Sequence, residues 1–184
     1  MYVLAFAALG IILLVGVGAV FAFGGGGGSN ASSRLIENRS CTEEEFKGLP
    51  PAHLDNPDAP VKYNSFPPSS GRHFFTPAIY DFYTEPVSET AVVHNLEHGA
   101  MVVQWGSKVP KSEVAKIREW WKNDARGLVA APLPALGNKI AVIAWTHVAK
   151  CTRFDDGAFT KFRDRYQFKG PERIPPEAMD PGSS

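Results

Sequence analysis

The feature that most constrains this chain is an N-terminal stretch without a single charged side chain. Residues 1–33 contain no Asp, Glu, Lys or Arg, and the first charge is Arg34. Tyr2 to Phe23 is apolar apart from three interrupting glycines. This segment is long enough to cross the roughly 30 Å hydrocarbon layer of a bilayer as a helix. The globular part must therefore be formed by the residues that follow it.

Two interpretations of the apolar segment are open: a cleaved secretory signal and an uncleaved anchor. A cleaved signal has a shorter apolar core, a basic start and a cleavage site of small residues. Here the core is longer and the basic start is missing, although glycines and alanines lie near its end. We therefore expect residues 1–23 to form a transmembrane anchor, followed by a flexible Gly/Ser-rich linker at residues 24–33.

Two opposing features of the sequence indicate on which side of the membrane the C-terminal part lies. Arg34 and Arg39 follow the span and no basic residue precedes it, which by the positive-inside rule would place the C-terminal part in the cytoplasm. Long domains, however, cross the membrane largely regardless of charge. The two cysteines, Cys41 and Cys151, indicate one structural disulfide in an oxidising compartment, with two unrelated buried thiols as the alternative. We expect a single-pass cell-membrane protein with its C-terminal domain outside the cytoplasm.

Residues 34–184 are numerous enough for one domain with its own core. A proline-rich segment from Leu49 to Pro77 predicts loop and extended chain. Four apolar, β-branched segments predict strands: Thr90–His94, Ala100–Trp105, Leu128–Ala131 and Ile140–His147. Helical periodicity predicts two helices, the first at Glu113–Asp124 after a Ser112 cap, the second capped by Asp155 or Asp156. The expected fold is α+β, a single domain with a small, mainly antiparallel sheet packed by two or three helices, preceded by the transmembrane helix.

The chemistry concentrates in His94-Asn95-Leu96-Glu97-His98, followed by Gly99. On a helix, His94 shares a face with Glu97 and His98, whereas on a strand Glu97 points away from both histidines. The apolar flanks and Gly99 argue against a long helix, and a single turn between two strands stays possible. The order His-x-x-Glu-His is that of inverted zinc proteases. Those enzymes carry it on a sustained helix with a further carboxylate ligand, so we favour metal binding without peptidase chemistry.

A third imidazole lies in the segment Pro-Pro-Ser-Ser-Gly-Arg-His at residues 67–73. Its serines and glycine permit a tight turn that aims His73 at the 94–98 segment. Three imidazoles and one carboxylate suit a tetrahedral zinc site or a nitrogen-rich copper site. The predicted metal ligands are therefore His73, His94, Glu97 and His98, with copper or zinc as the ion. Alternatively, these side chains hydrogen-bond one another and the neighbouring backbone.

The two remaining histidines have other expected roles. His53 lies in the proline-rich loop, which predicts a solvated side chain rather than a ligand. His147 ends an apolar segment after Trp145, and we interpret it first as a histidine at the edge of the core and second as a further ligand.

The composition argues against nucleic-acid binding, and three hypotheses for the function remain. The formal net charge is zero and no basic stripe is present, so nucleic acid is not an expected partner. The leading hypothesis is a membrane-tethered extracytoplasmic domain that binds a transition metal. One alternative is a metal-dependent hydrolase or oxidase with Glu97 as general base, and the other is a structural or interaction module of the cell envelope. No protein partner can be inferred.

Four motifs together resemble a known family: Pro-Pro-Ser-Ser-Gly-Arg-His at 67–73, Val-His-Asn-Leu-Glu-His-Gly at 93–99, Ala144-Trp145, and Gly170-Pro171-Glu172. In these segments the chain resembles the bacterial, membrane-anchored proteins known as domain of unknown function 3105. The resemblance implies a single domain of this type behind an N-terminal span, and it implies no activity. The positions that carry over are His73, His94, Glu97 and His98.

Overall fold

A computed structural model describes residues 40–184, which belong to one structural unit. The predicted span at 1–23 and the linker at 24–33 lie outside the described residues. Within residues 40–184, no helix combines the length and apolar character that a membrane crossing requires.

The described residues form seven strands, three α-helices and two short 3₁₀ turns. The strands are β1 (Cys41–Glu45), β2 (Ala52–Leu54), β3 (Arg72–Phe74), β4 (Met101–Trp105), β5 (Leu128–Pro132), β6 (Ile140–Ala144) and β7 (His147–Cys151). The helices are α1 (Glu89–Glu97), α2 (Lys111–Asn123) and α3 (Asp156–Tyr166), and the 3₁₀ turns are Pro134–Leu136 and Pro176–Met179.

Five of the strands form one sheet in the order β1-β7-β6-β4-β5. The pairs β1–β7, β7–β6 and β6–β4 are antiparallel, whereas β4 and β5 are parallel. The expectation of a mainly antiparallel sheet is thus corrected to a mixed sheet. The physical reason is the crossover through α2. This helix returns the chain from the end of β4 to the edge of the sheet where β4 begins, so β5 can run parallel to β4. A separate parallel pair joins β2 and β3.

The sheet is buried on both faces, so side chains that alternate along each strand enter two different clusters. Met101 and Val103 of β4 belong to the cluster that includes Ile117 of α2 and Phe159 of α3. Val102, which lies between them, packs in a second cluster on the opposite face. Helix α1 contributes Val92 and Leu96 to that cluster, and the turn at Pro176–Met179 contributes Met179. Helix α1 therefore covers one face of the sheet, and α2 and α3 cover the other.

Several predicted elements are confirmed, and the disulfide is among them. Strands β4 and β5 match the predicted apolar segments closely. The Asp155 side chain accepts a 2.9 Å hydrogen bond from the backbone N–H of Ala158, as a helix cap should. Cys41 and Cys151 are bonded across the β1–β7 register, 110 residues apart. In the chain-entropy model, closing a loop of that size stabilises the fold by about 4–5 kcal/mol.

Three predicted elements are wrong. The Thr90–His94 segment is the body of α1 instead of a strand. The Ile140–His147 segment ends at Ala144, and the chain then turns at Thr146, whose φ is +63°, to begin β7. Helix α2 begins at Lys111 without a side-chain cap, so Ser112 does not cap it.

Helix α1 forms despite its β-branched residues because nearly all of it is buried. Every residue from Thr90 to Glu97 lies in the interior, so packing on several sides outweighs the weak strand preference of Thr and Val. The buried Asn95 side chain both accepts from the N–H of Ala78 at 2.9 Å and donates to its carbonyl at 2.7 Å. These bonds fix the neighbouring loop to the helix.

Candidate metal centre

The first part of the site is the C-terminal turn of α1. Gly99 has φ +93°, and its N–H donates to the carbonyl of Leu96, while the N–H of Ala100 donates to that of Asn95. This pair of bonds is a Schellman motif, which glycine favours because it tolerates positive φ. The helix consequently ends at Glu97, and the side chains of residues 94, 97 and 98 emerge from one face of its last turn.

The second part is the parallel pair β2–β3. Gly71 has φ +114° and turns the chain into β3, while the Ser70 hydroxyl accepts a 3.1 Å hydrogen bond from the N–H of Leu49. The turn places His73 in the interior, with no solvent exposure. His53 is the register partner of His73 on β2, so the two imidazoles lie on the same side of the pair.

Four side chains from these elements converge, and we call them the inner group: His53, His73, His94 and Glu97. Each offers one ligand atom, and these atoms all lie within 4.8 Å of one another. The ring centroids of His53 are 5.0 Å from those of His73 and His94, which are themselves 4.6 Å apart. His73 Nε2 lies 3.0 Å from Glu97 Oε2.

Backbone carbonyls select the ring nitrogens that face this group. His73 Nδ1 lies 2.8 Å from the carbonyl oxygen of Gly71, and His94 Nδ1 lies 2.9 Å from that of Phe74. A carbonyl oxygen only accepts, so each Nδ1 must carry the proton that it donates. In the neutral rings, Nε2 therefore holds the lone pair. Metal-binding histidines are oriented in this way by their second nitrogen.

The buried Nε2 of His73 has no hydrogen-bond partner among the described residues, although Glu97 Oε2 is near. When Glu97 is ionised and His73 is neutral, both atoms present lone pairs to each other. A proton or a metal ion must then lie between them to offset the repulsion. Two ligands at about 2.0–2.1 Å from one tetrahedral ion are about 3.3 Å apart, slightly more than the observed separation.

Burial favours the neutral, metal-binding form of the histidines but disfavours the ionised, metal-binding form of Glu97. It lowers the pKa of His94 to about 4, against the opposing effect of its hydrogen bond to the Phe74 carbonyl. Burial likewise lowers the pKa of His98, although the carboxylate of Glu172 acts in the other direction. Burial raises the pKa of Glu97, and the charge of His73 opposes that rise. Both histidines are therefore neutral near pH 7, and neutral imidazole is the form that binds a metal ion.

A second set of side chains shares His94, and we call it the outer group: His94, His98 and Glu172. His98 Nε2 lies 3.3 Å from Glu172 Oε2. Backbone bonds hold the Glu172 segment against the end of α1, because Phe168 N–H donates to the Gly99 carbonyl at 2.7 Å and Glu172 N–H to the Glu97 carbonyl at 3.1 Å. The C-terminal segment is therefore part of the site.

The structure brings together the predicted site residues, but it divides them between two groups instead of one. His73, His94 and Glu97 share the inner group, whereas His98 lies in the outer group. His53, for which the sequence predicts a solvated side chain, is exposed but lies in the inner group, because its strand pairs with that of His73. The sequence of the proline-rich loop has no periodicity that would predict this strand pairing.

Sequence chemistry does not predict Glu172 as a site residue. The one signal for it in the sequence is its position in the Gly-Pro-Glu motif. His147 belongs to neither group; its ring stacks on that of Tyr166 at a centroid distance of 4.0 Å.

A further carboxylate of α1, Glu89, lies away from both groups. Gln104 Nε2 donates to Glu89 Oε1 at 2.6 Å, while the buried Glu89 Oε2 and Gln104 Oε1 have no hydrogen-bond partner among the described residues. Burial raises the pKa of Glu89 from 4.5 to about 7, and the hydrogen bond from Gln104 opposes the rise. The protonated acid suits this environment, since it supplies the donor that the two oxygens lack.

Glu89→Gln should therefore remove a pH-dependent loss of stability. Between about pH 4.5 and 7 the folded state holds this proton and the unfolded state does not, so the free energy of unfolding falls as pH rises. At 1.36 kcal/mol per pKa unit, the difference between variant and wild type at pH 8 reaches at most about 3 kcal/mol in favour of the variant. Urea unfolding at pH 4.5 and pH 8 measures it. Glu119→Gln, at an exposed position, is the matched control, and equal pH profiles for wild type and Glu89→Gln would contradict the assignment.

Comparison with known proteins adds a family but no activity. A family model described as Protein of unknown function (DUF3105) matches residues 55–178. That range contains every residue of the two groups except His53. Neither a curated protein nor a solved structure matches the chain.

Proposed function

The chain belongs to the family described as Protein of unknown function (DUF3105), and since that membership brings no activity with it, we propose a function from the site: the inner group binds one divalent transition-metal ion. The ligands are Nε2 of His73 and His94, a ring nitrogen of His53, and a carboxylate oxygen of Glu97. This set replaces His98 of the sequence prediction with His53.

The observation that carries the proposal is the convergence of four ligand atoms, one from each member of the inner group, within 4.8 Å of one another. A purely structural His73 would need only a proton between its Nε2 and Glu97 Oε2, and no further imidazole beside it. Here the ring is instead fixed by its other nitrogen and directed at two further ligands. This arrangement supports a cation more than a purely structural contact.

The donor chemistry narrows the ion to zinc or copper. Imidazole nitrogens suit both ions, while calcium and magnesium select sites made of oxygen ligands. Histidine nitrogens and a glutamate oxygen are both zinc ligands, and four of them complete a tetrahedral sphere. Zinc is therefore the first ion to test, and copper(II) the second.

We do not extend this proposal to a hydrolase or oxidase. That alternative assigns Glu97 as a general base, whereas its position beside His73 supports a role as ligand. The structural-module alternative is separated from metal binding by the experiment that follows.

The test uses the full chain purified without a histidine tag. Elemental analysis should find up to one zinc or copper ion per chain, and zinc titration of the metal-depleted protein against a competing chelator should saturate at one ion. His147→Gln, which removes a histidine outside both groups, should keep that stoichiometry. Protein that carries no metal and binds none on titration would leave the cluster as a hydrogen-bonded structural element.

Residues 1–23 are proposed to tether this domain to the membrane, with residues 34–184 outside the cytoplasm. The support is the charge-free apolar sequence and the disulfide between Cys41 and Cys151, which an oxidising compartment maintains. Carbonate extraction of membranes, followed by proteolysis of spheroplasts stripped of the outer envelope, checks both points. Release into the soluble fraction, or protection of the domain in those spheroplasts, would contradict them.

A further inference from the structure

The inner and outer groups share a residue that cannot serve both at once. His94 Nδ1 donates to the Phe74 carbonyl at 2.9 Å, so only Nε2 has a lone pair to offer. Both groups include His94. One nitrogen lone pair binds one ion, and the two groups are therefore alternative positions for a single ion, not a two-metal centre.

The two positions differ in their access to solvent. His73 and Glu97 of the inner group are 0% and 5% exposed, and His94 is 6% exposed. In the outer group the side chains of His98 and Glu172 are 15% and 45% exposed, whereas His53 is the one exposed member of the inner group. The ring centroids of His98 and His94 are 4.5 Å apart, nearly the same as the 4.6 Å between His94 and His73. A path of adjacent ligands thus leads from the surface to the interior.

We propose that the outer group is an entry and exit position for the metal ion of the inner group, with His94 as the ligand common to both. This inference rests on the proposed function of the inner group. An aqueous ion first exchanges water for Glu172, His98 and His94. It then exchanges Glu172, His98 and its one remaining water for Glu97, His73 and His53 while His94 stays bound. Only ligand exchange occurs, and the ion keeps its charge and oxidation state.

The competing route passes His53, which is also exposed. An ion that entered directly there would reach the inner group without touching His98 or Glu172. The two routes make opposite predictions for the rates of variants at the outer group, whereas the equilibrium affinity depends on the inner ligands in both cases.

Stopped-flow measurement of zinc association and chelator-induced dissociation on the full chain separates them. His98→Gln and Glu172→Gln should each slow association and dissociation by the same factor and leave Kd unchanged. The expected factor is about tenfold for each 1.36 kcal/mol by which the lost ligand lowers the exchange barrier. Glu177→Gln removes an exposed charge five residues further along the chain from Glu172 and outside both groups, and it should keep wild-type rates.

Two results would overturn the entry position while leaving the inner site intact: wild-type rates in both outer variants, or slower association with unchanged dissociation. The second pattern is that of electrostatic attraction of the ion by Glu172, which weakens Kd when it is lost. Failure of the wild-type protein to bind zinc would instead refute the proposed function itself.

Discussion

His73→Gln is expected to weaken zinc binding by at least about 100-fold. Zinc sites in small domains have apparent binding free energies of about 10–16 kcal/mol, which over four ligands is roughly 3 kcal/mol each, or about two powers of ten in Kd. His73 is the most deeply buried of the inner ligands, and its ring is fixed by the Gly71 carbonyl. Glutamine has a similar length but no imidazole lone pair.

We expect the substitution to leave the protein folded, which makes the measurement interpretable. The amide of the new glutamine can donate to the Glu97 carboxylate, so the buried charge keeps a partner. Competition titration gives Kd, and the unfolding free energy of the metal-free variant verifies the fold. His147→Gln is the matched control and should retain the wild-type Kd. Wild-type affinity in His73→Gln would show that zinc binds elsewhere in the chain.

Gly170→Ala should destabilise the protein by at least about 3 kcal/mol. A Cβ at this position would lie 2.2 Å from the carbonyl oxygen of Glu97 and 2.3 Å from the backbone nitrogen of Gly99. Both are backbone atoms, and overpacking of this kind costs about 1–3 kcal/mol before the loss of neighbouring bonds. Separating the two segments would also stretch the hydrogen bond from Phe168 to Gly99.

Thermal unfolding measures this effect, and the expected decrease in Tm is about 6–12 °C for a protein of this size. Gly157→Ala is the control, because its nearest neighbour is the Asp155 Oδ1 atom at 3.7 Å and it lies in the first turn of α3. There alanine should be neutral or slightly stabilising. An unchanged Tm in Gly170→Ala would mean that the C-terminal segment does not pack closely on the end of α1.

Local patterns in the sequence predict the parts of the fold that local physics determines. The helical spacing of Val114, Ile117 and Trp121 identifies α2, and the Asp155 cap identifies the start of α3. Helix α1 is missed because Thr90, Val92 and Val93 favour strands, and only burial in the assembled fold reverses that preference. The mixed sheet is missed because nothing local to β4 or β5 specifies their parallel pairing.

The site residues show the same distinction between local and long-range determinants. His73, His94 and Glu97 are found from sequence because two short motifs place them, one at a glycine turn and one at a helix end. His53 is missed because it joins the group only through its register with His73. Glu172 is missed because it is held by backbone bonds between segments about 75 residues apart in sequence (residues 97 and 172), which no local pattern contains.

The central claim is that three imidazoles and one carboxylate bind a single ion in the inner group. X-ray absorption spectroscopy of the full chain loaded with one equivalent of zinc tests it most directly. The expected coordination sphere has four nitrogen or oxygen ligands at about 2.0–2.1 Å, with outer scattering from three imidazole rings. A six-coordinate sphere of oxygen atoms without imidazole scattering would contradict it.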